Sequence, residues 1–393
     1  MRRLVLQPGR DVPVRRGHPW IFSRAIREGL DGAEPGEPVR IVSAGGGFVA
    51  VGYANPRTTI AARVVSLDDE PLDAALVDRR VAEALALRRQ LLPPDLTAYR
   101  VLNGEGDFLP GVVVDRYGDV LVCQFLTAGA ARLAPEVVAA LESRLAPQSI
   151  VERSEGGVRA EEGLPGARGL LAGTEPAVPL AIAEGGATLL VDVLHGQKTG
   201  FFLDQRDTRA LVARLTAGRR VLNAFAYTGA MSVAAGRGGA TEVVSVDTSA
   251  PALAFAREAW AANGLPEAAA RFVCADVFEF LREEREPFDC VILDPPPFVR
   301  RRRDLTAGLR AYKDVNLQAM RRLAPGGWLV TCSCSQHLGR AAFREVVAAA
   351  AGDAGCRLTL VGEAGHPVDH PVALAHPEGE YLKVLLLRAE GGT

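Results

Sequence analysis

Long apolar segments are missing from this sequence of 393 residues. No apolar run approaches the roughly twenty residues that a helix needs to cross a bilayer. Residues 1–4 carry two arginines with no apolar stretch behind them, which argues against a secretory signal peptide. We therefore expect a cytoplasmic protein that does not associate with a membrane.

Cysteine is sparse, with six residues in the whole chain: Cys123, Cys274, Cys290, Cys332, Cys334 and Cys356. Only Cys332 and Cys334 stand close together, and this spacing without a second pair or nearby histidines is poor for zinc. Thiols scattered over a long chain also argue against a disulfide framework. We expect no metal site, and we expect most of the thiols to lie in the core.

An excess of charge of one sign is also absent, because the formal net charge is −2. The charges are nevertheless unevenly distributed. Residues 1–30 hold seven arginines against one aspartate and one glutamate, and residues 300–303 are four consecutive arginines. Clusters of arginine bind phosphate groups without reading base sequence. We predict a polyanionic substrate that contacts Arg15, Arg16, Arg300 and Arg301.

The N-terminal part of the chain reads as a small β-structure. Residues 1–70 show short strands, among them a hairpin in which 39–42 and 48–53 flank three glycines. Trp20 and Phe22 follow basic residues there, which suits an RNA-facing edge, although aromatic side chains in such a strand more often belong to the core. We therefore predict a small β-barrel whose core includes these two rings.

The middle of the chain mixes strands and helices, and the length of the whole chain allows two to three domains. Apolar residues recur at helical spacing over 71–92. Residues 98–185 alternate strands with one helix near 130–145 and a glycine-rich loop over 156–174. A hairpin over 181–191 leads into the last part of the chain.

After residue 190 the pattern changes to alternating strands and helices, which is typical of a parallel sheet with helices on its faces. A helix is predicted over 250–263, with Ser249 as its N-cap, Pro251 near its start and Gly264 past its end. The candidate strands are 220–224, 242–246, 271–275, 289–293, 327–332, 357–361 and 381–387.

A strand, a tight turn and a helix start are predicted over 221–232. Only Gly229 lies in the turn, so the G-x-G-x-x-G fingerprint of dinucleotide sites is missing and a dehydrogenase is disfavoured. Acidic residues stand at three strand ends, at Asp247, Asp276 and Asp294. This pattern is typical of an S-adenosylmethionine site, in which the helix start holds the aminocarboxylate, Asp247 the ribose and Asp276 the adenine.

Two further loops follow predicted buried strands, and each contains a side chain that can take part in catalysis. One contains Asp294 followed by three prolines and Phe298, and the other contains Cys334 between two serines. The carboxyl ends of parallel strands meet at one edge, so we expect these loops to be neighbours. Carbon 5 of cytosine is a poor nucleophile unless a thiolate first adds to carbon 6. Cys334 is the candidate thiol, Asp294 the acid that would hydrogen-bond the pyrimidine, and Cys332 receives no role.

At these residues the sequence resembles bacterial large-subunit (23S) ribosomal RNA cytosine-C5 methyltransferases, and the similarity runs nearly end to end. The matching segments are 18–22, 106–115, 196–206, 222–229, 294–298, 334–335 and 369–371. The resemblance implies an α/β multidomain fold: a PUA RNA-binding β-barrel over 1–72, a central α+β (EEHEE) domain over 73–185, and a Rossmann-like methyltransferase domain with a seven-stranded mixed sheet over 186–393.

The resemblance also implies S-adenosylmethionine as methyl donor, no metal, and Cys334 as nucleophile. Segment 197–206 would form a lid in which Phe201 and Arg206 touch the donor. Other RNA cytosine-C5 methyltransferases carry a second cysteine in the Asp-Pro-Pro region, and Pro296 and Pro297 stand at that place here. The expected donor-binding residues are Lys198, Phe201, Arg206, Asn223, Phe225, Tyr227, Gly229, Asp247, Asp276 and Asp294. The expected residues for the target RNA are Pro295, Pro296, Phe298, Arg300, Arg301, Arg15 and Arg16.

Two alternatives remain open on the sequence alone. The Asp-Pro-Pro-Phe stretch also resembles the loops of enzymes that methylate an amino group or N7 of guanine. There the carbonyl oxygen of Pro295 would accept a hydrogen bond from the target amine, and no thiol is needed. The second alternative is a non-catalytic RNA-binding protein of ribosome assembly. Ribosomal RNA, before or during subunit assembly, is the expected partner, and a homodimer is a further expectation.

Overall fold

A computed structural model describes residues 1–390 of the chain, which form two compact units. The first unit comprises residues 1–180, 192–203 and 368–379, and the second comprises 181–191, 204–367 and the chain from 380 onward. The last three residues of the predicted methyltransferase domain, 391–393, lie outside the described residues. No helix in the described part of the chain is long and apolar enough to span a membrane.

The first unit begins with a six-stranded sheet in the order β2-β6-β5-β4-β1-β3, in which only β1 and β4 run parallel. Its elements are β1 (Arg2–Leu6), α1 (Asp11–Arg15), β2 (Trp20–Phe22), β3 (Ile26–Glu28), β4 (Glu37–Val42), β5 (Phe48–Ala54) and β6 (Ile60–Ser66). The predicted hairpin is present as β4 and β5. The prediction that Phe22 lies in the core is wrong, since its side chain is 45% exposed. Side chains alternate along a strand, and Ile21 is the residue of β2 that points inward.

A five-stranded sheet follows in the order β11-β10-β9-β8-β7, with β9 and β10 parallel. Its elements are α2 (Ala74–Leu91), β7 (Ala98–Asn103), β8 (Val112–Tyr117), β9 (Val120–Phe125), α3 (Ala128–Arg132), α4 (Ala134–Leu145), β10 (Ser149–Ser154), α5 (Gly157–Glu161) and β11 (Ala167–Gly173). Two helices stand where one was predicted near 130–145, because Pro135 in the first turn of α4 starts a new helix.

The predicted loop over 156–174 is wrong, because α5 and β11 occupy most of it. β11 is an edge strand that pairs with β10 through its backbone. Most of its side chains are exposed, so the sequence carries no alternation of apolar and polar residues there. Backbone pairing without a buried face is the reason why the pattern missed this strand.

The second unit contains a two-stranded sheet and a seven-stranded sheet. Its elements are β12 (Leu180–Glu184), β13 (Ala187–Val191), α6 (Arg206–Leu215), β14 (Arg220–Ala224), α7 (Ala230–Arg237), β15 (Glu242–Asp247), α8 (Ala250–Ala262), β16 (Ala270–Cys274), α9 (Val277–Glu283), β17 (Phe288–Leu293), α10 (Leu305–Met320), β18 (Leu323–Ser333), α11 (Arg340–Ala354), β19 (Leu358–Ala364) and β20 (Lys383–Ala389). The seven predicted strands are all present in it, as is the hairpin formed by β12 and β13.

The large sheet has the order β16-β15-β14-β17-β18-β20-β19. The first five strands run parallel, and β20 is antiparallel to both of its neighbours. The strand order reverses between β14 and β17, and ligands of open α/β sheets bind at such a switch point beyond the carboxyl ends of the strands. Helix α8 starts as predicted, with Ser249 accepting the backbone N–H of Ala252 and Pro251 in its first turn.

Candidate functional site: the carboxyl edge of the seven-stranded sheet

The turn after β14 is held in an unusual backbone conformation. Phe225, Tyr227 and Gly229 have φ angles of 63°, 49° and 76°, so every second residue is left-handed. For residues other than glycine this conformation costs about 1–3 kcal/mol each, and such strain concentrates at ligand sites. At Gly229 a Cβ atom would also meet the Cβ of Ala256 at 2.6 Å, so the close approach of α7 to α8 requires glycine.

Asp247, the last residue of β15, holds this turn with its carboxylate. Its Oδ2 accepts the backbone N–H of Tyr227 at 2.8 Å, and its Oδ1 accepts that of Ser249 at 2.9 Å. Each carboxylate oxygen has two lone-pair sites, so both oxygens keep one after these bonds. The half-buried carboxylate is therefore able to accept hydrogen bonds from a pair of ribose hydroxyls, as the sequence predicts.

Asn223 lies in β14, just before the turn, and stabilises it through side-chain hydrogen bonds. The residue is buried, and its Nδ2 donates at 2.8 Å to Oγ of Ser232, which in turn pairs with Ser245 at 2.7 Å. These bonds tie β14 to α7 and β15 beneath the turn. A direct contact between Asn223 and a bound donor stays a prediction.

Asp276 stands at the next strand end, two residues beyond β16. Its Oδ1 accepts the backbone N–H groups of Phe278 and Glu279 and so caps α9. The ring of Phe278 lies 6.5 Å from that of Phe225 and 6.0 Å from that of Phe298, centroid to centroid. Half-buried aromatic rings beside an acid suit a planar heterocycle. Phe278 was not among the residues predicted from sequence, although it follows a strand end by only a few residues.

Cys334 and the Asp294 loop come together as predicted. The Sγ atom of Cys334, one residue past β18, lies 3.8 Å from the carbonyl oxygen of Pro295. Asp294 follows β17 directly, and its backbone N–H lies 3.5 Å from the carbonyl oxygen of Ala224 at the end of β14. Cys334 and Asp294 are both partly exposed, so a ligand at this edge can reach both side chains.

A buried hydroxyl network locks these two loops to each other. Ser335 Oγ accepts the backbone N–H of Val299 at 3.1 Å and pairs with the Tyr312 hydroxyl at 2.9 Å. Ser333 donates to the same hydroxyl at 3.0 Å. Burial raises the pKa of Tyr312, so the phenol stays neutral and can bridge the two serines. Tyr312 was not predicted from sequence, because it lies on α10, between the two loops in the chain.

Cys332 differs from Cys334 although only one residue separates them. Its side chain is buried within β18. Burial raises its pKa well above the ordinary value, and the charge of Asp294 adds to that shift. A neutral, enclosed thiol is a poor nucleophile, which agrees with leaving Cys332 without a role.

Lys383, the first residue of β20, is a buried cation that the sequence analysis missed. Its Nζ donates to the carbonyl oxygen of Ser335 at 2.6 Å and to that of Tyr381 at 2.8 Å. Burial lowers its pKa to about 8; the charge of a Cys334 thiolate opposes that shift and Arg340 adds to it. The antiparallel register places Lys383 opposite Ser333, beside Cys334.

The predicted residues are divided between the two units. Lys198, which carries a φ of 53°, and buried Phe201 belong to the first unit, as do the exposed Arg15 and Arg16. Their contacts with donor or RNA stay predictions. In the second unit, Arg206 opens α6. Pro296, Arg300 and Arg301 lie exposed on the loop after β17, where RNA can reach them.

Two family models match the chain. Residues 164–387 match the S-adenosylmethionine-dependent methyltransferase model, and residues 4–67 match that of a PUA-like domain. A solved chain described as a SAM-dependent methyltransferase from Streptococcus mutans shares 25% identity, with a TM-score of 0.85 over 99% of this chain and all of that one. A second, described as a methyltransferase complexed with SAH, superposes with a TM-score of 0.86 at 24% identity over the same shares. Together with the turn and the acids at the strand ends, these matches define an S-adenosylmethionine-dependent methyltransferase with a PUA-like domain.

The sequence relatives narrow the class to a family. "Ribosomal RNA large subunit methyltransferase I" from Pseudoalteromonas translucida is 44% identical over 98% of this chain and 98% of its own length. The proteins of the same name from Klebsiella pneumoniae and Aeromonas hydrophila are 42% and 43% identical, over 97% and 98% of this chain and 96% and 99% of their own lengths. The chain belongs to the ribosomal RNA large subunit methyltransferase I family.

Proposed function

We propose that this enzyme methylates carbon 5 of a cytosine in large-subunit (23S) ribosomal RNA, with Cys334 as the covalent nucleophile. The observation that carries the proposal is the placement of a partly exposed thiol against the Asp294 loop, with Sγ 3.8 Å from the carbonyl oxygen of Pro295. Methyl transfer to an amine would need the acid and the carbonyl but no thiol. Carbon 5 needs the thiol, because it is not nucleophilic by itself.

The residues at the edge fit the methyl donor. Asp247 retains acceptor sites for the ribose, the left-handed turn at 225–229 precedes the N-terminal N–H groups of α7, and the rings of Phe225 and Phe278 suit the adenine. S-adenosylmethionine, when bound, supplies an electrophilic methyl group on its sulfonium. In this proposal Asp294 contributes both to the donor site and to the site of the target base, since it stands between the turn and Cys334.

The reaction at the base proceeds by addition and elimination. The Cys334 thiolate forms a bond to carbon 6, and the electron pair of the C5–C6 double bond becomes available at carbon 5, while the carboxyl group of Asp294, in its protonated form, donates a hydrogen bond to N3. Carbon 5 would then take the methyl group that the donor supplies, and the electron pair of the broken carbon–sulfur bond would stay on the donor's sulfur. Loss of the proton on carbon 5 to water restores the double bond and expels the thiolate. The target base must leave its stack to enter, which costs least in looped RNA.

The exposed arginines of the first unit and of residues 300–301 support a large polyanionic substrate. The relatives' printed name includes ribosomal RNA of the large subunit, and we propose the same substrate here. We propose that the reaction takes place in the cytoplasm, before or during subunit assembly. A homodimer stays a prediction.

The proposal is tested by methyl transfer to large-subunit ribosomal RNA prepared from cells that lack this modification. We expect the wild-type enzyme to form 5-methylcytidine, identified by mass spectrometry of the nucleosides. Cys334→Ala should lower the rate by at least about a thousandfold, since removing a covalent nucleophile typically costs that much or more. Its affinity for S-adenosylmethionine, measured by calorimetry, should stay within about twofold of wild type.

Cys356→Ala is the matched control, because that half-buried thiol precedes β19 and lies outside the proposed site. It should keep wild-type activity. A Cys334→Ala enzyme that retains its rate, or a product that is an N-methylated guanosine, would contradict the cytosine mechanism and favour the amine-directed alternative.

A further inference from the structure

Lys383 carries a buried positive charge that is not paired with an acidic side chain in the described part of the chain. The side chain is 3% exposed, and its hydrogen bonds go to two backbone carbonyls, those of Ser335 and Tyr381. Among residues 1–390, no carboxylate lies within ion-pair distance of this ammonium group. Burial of a cation without an anion costs free energy. Such a group is therefore a candidate for a functional role.

The position of Lys383 points to that use. Its Nζ holds the carbonyl of Ser335, which follows Cys334 in the chain, and its own strand runs antiparallel to the strand that ends before Cys334. An ammonium group has three hydrogens, so one remains after the two bonds to carbonyls. The anion that would complete the arrangement is the thiolate that Cys334 forms during the proposed reaction.

The other charges around the two thiols do not supply this cation. Asp294 and Asp204 are acidic, and their charges raise the pKa of the neighbouring Cys332 thiol, while the Tyr312 phenol is neutral. Arg340 is the other nearby cation, but its Nη1 donates to the carbonyl of Ala364 and lies 3.8 Å from Glu363. Its charge is therefore already partly compensated, whereas that of Lys383 is not.

We propose that Lys383 is a positioning residue whose buried ammonium group is the counter-cation of the Cys334 thiolate. The inference rests on the proposed function, because it assigns Lys383 to Cys334 acting as nucleophile. Lys383 holds the loop after Cys334 through the Ser335 carbonyl, and it lowers the free energy of the thiolate relative to the thiol. The attacking species is thus available near neutral pH.

The test measures the alkylation rate of Cys334 by iodoacetamide as a function of pH in the full-length enzyme without RNA. Cys332 and Cys334 fall in one tryptic peptide, 323–340, so tandem mass spectrometry is needed to separate them. We expect Lys383→Met to move the pH midpoint of Cys334 alkylation upward by about one unit, which slows alkylation roughly tenfold near pH 7.5. Lys383→Arg, which keeps the charge, should restore much of the rate.

Arg388→Met is the matched control, because Arg388 is an exposed cation on the same strand and stacks on Trp328. It should leave the pH midpoint unchanged. If Lys383→Met does not melt cooperatively, Lys383→Gln takes its place, since an amide can still donate hydrogen bonds but carries no charge.

An unchanged pH midpoint in a folded, uncharged variant would overturn the role of Lys383. This failure is distinguishable from failure of the proposed function. If Cys334→Ala abolishes methyl transfer while the alkylation profile is insensitive to Lys383, the covalent mechanism stands and the inference about Lys383 is wrong. If Cys334→Ala stays active, the proposed function is wrong whatever the alkylation shows.

Discussion

Two cysteines separated by one residue have opposite chemical character in this protein. Cys332 lies inside β18, where burial raises its pKa well above the ordinary value. Cys334 stands one residue past the end of the strand, partly exposed and against the Pro295 carbonyl. The sequence predicts this difference, because Cys332 still belongs to the strand predicted over 327–332, whereas Cys334 lies between two serines. At the residue scale, the end of a strand separates a core thiol from a candidate nucleophile.

Lys383 gives the stability of the protein a testable pH dependence. Its pKa is lowered to about 8 in the folded protein, whereas an unfolded lysine titrates near 10.4. Between these values the unfolded chain binds more protons at this residue, so the free energy of unfolding rises with pH in that window. The gain is at most about 1.4 kcal/mol per pH unit, or roughly 3 kcal/mol in total.

A comparison of the wild type with Lys383→Met isolates the contribution of Lys383 to the pH dependence of the free energy of unfolding. Buried Cys123 and Cys290, whose pKa values burial raises, destabilise the fold at high pH in both proteins. Urea unfolding at pH 7.5 and pH 10 should therefore show the stability of the wild type improving relative to the variant as pH rises. A difference between the two proteins that does not change with pH would show that Lys383 is not titrating in this range.

The turn after β14 is the element on which the proposed binding of the donor depends. Gly229→Ala meets two obstacles, the left-handed φ of 76° and the contact with Ala256. We expect a loss of about 2–4 kcal/mol in unfolding free energy and a tenfold or larger loss of affinity for S-adenosylmethionine. Calorimetric titration and thermal melts measure both quantities.

Gly264→Ala separates the two obstacles. Gly264 has a φ of 64°, but no atom lies within 4 Å of the position where a Cβ would stand. The substitution should cost only the conformational strain, about 1 kcal/mol, and should leave donor affinity intact. Equal effects of the two substitutions would mean that the contact between α7 and α8 does not shape the turn.

Local pattern predicts some elements of this protein and misses others for identifiable reasons. Strands β14, β15 and β17 are mostly buried and read as apolar runs, so Asp247 and Asp294, the acids at the ends of β15 and β17, could be placed from sequence. β11 could not, because an edge strand with exposed side chains leaves no pattern. Lys383 was missed for another reason: its partner Ser335 is 48 residues away in the chain and is brought near by antiparallel pairing.

At the scale of the whole molecule, sequence order and compact units do not coincide. Residues 192–203 and 368–379 belong to the first unit, although the predicted methyltransferase domain begins at 186. Arg88 contacts segment 368–379, because it donates a hydrogen bond to the carbonyl oxygen of Asp369 at 2.7 Å. It also forms an ion pair with Asp107. The contacting residues are 281 positions apart, which is why periodicity along the chain could not reveal the contact. The predicted three-domain boundaries stay a prediction.

The proposed contact of Arg300 and Arg301 with RNA predicts a measurable salt dependence of binding. Replacing both Arg300 and Arg301 by Ala should weaken binding to ribosomal RNA fragments and reduce the slope of log K against log salt by about 0.7–0.9 for each phosphate that the protein no longer neutralises. Filter binding over a range of salt concentrations measures the slope. Arg357→Ala removes an exposed arginine just before β19, and it should leave the slope unchanged. An unaltered slope in the double variant would place the RNA elsewhere.

The central claim is that Cys334 forms a covalent bond with the target cytosine. Its most direct test is incubation of the enzyme with S-adenosylmethionine and large-subunit ribosomal RNA that contains 5-fluorocytidine. Fluorine on carbon 5 cannot leave as a proton does, so the bond to carbon 6 persists through denaturation. We predict a stable protein–RNA adduct whose digest maps the cross-link to Cys334, and none with Cys334→Ala. Methylation without an adduct, or an adduct at another residue, would contradict the account.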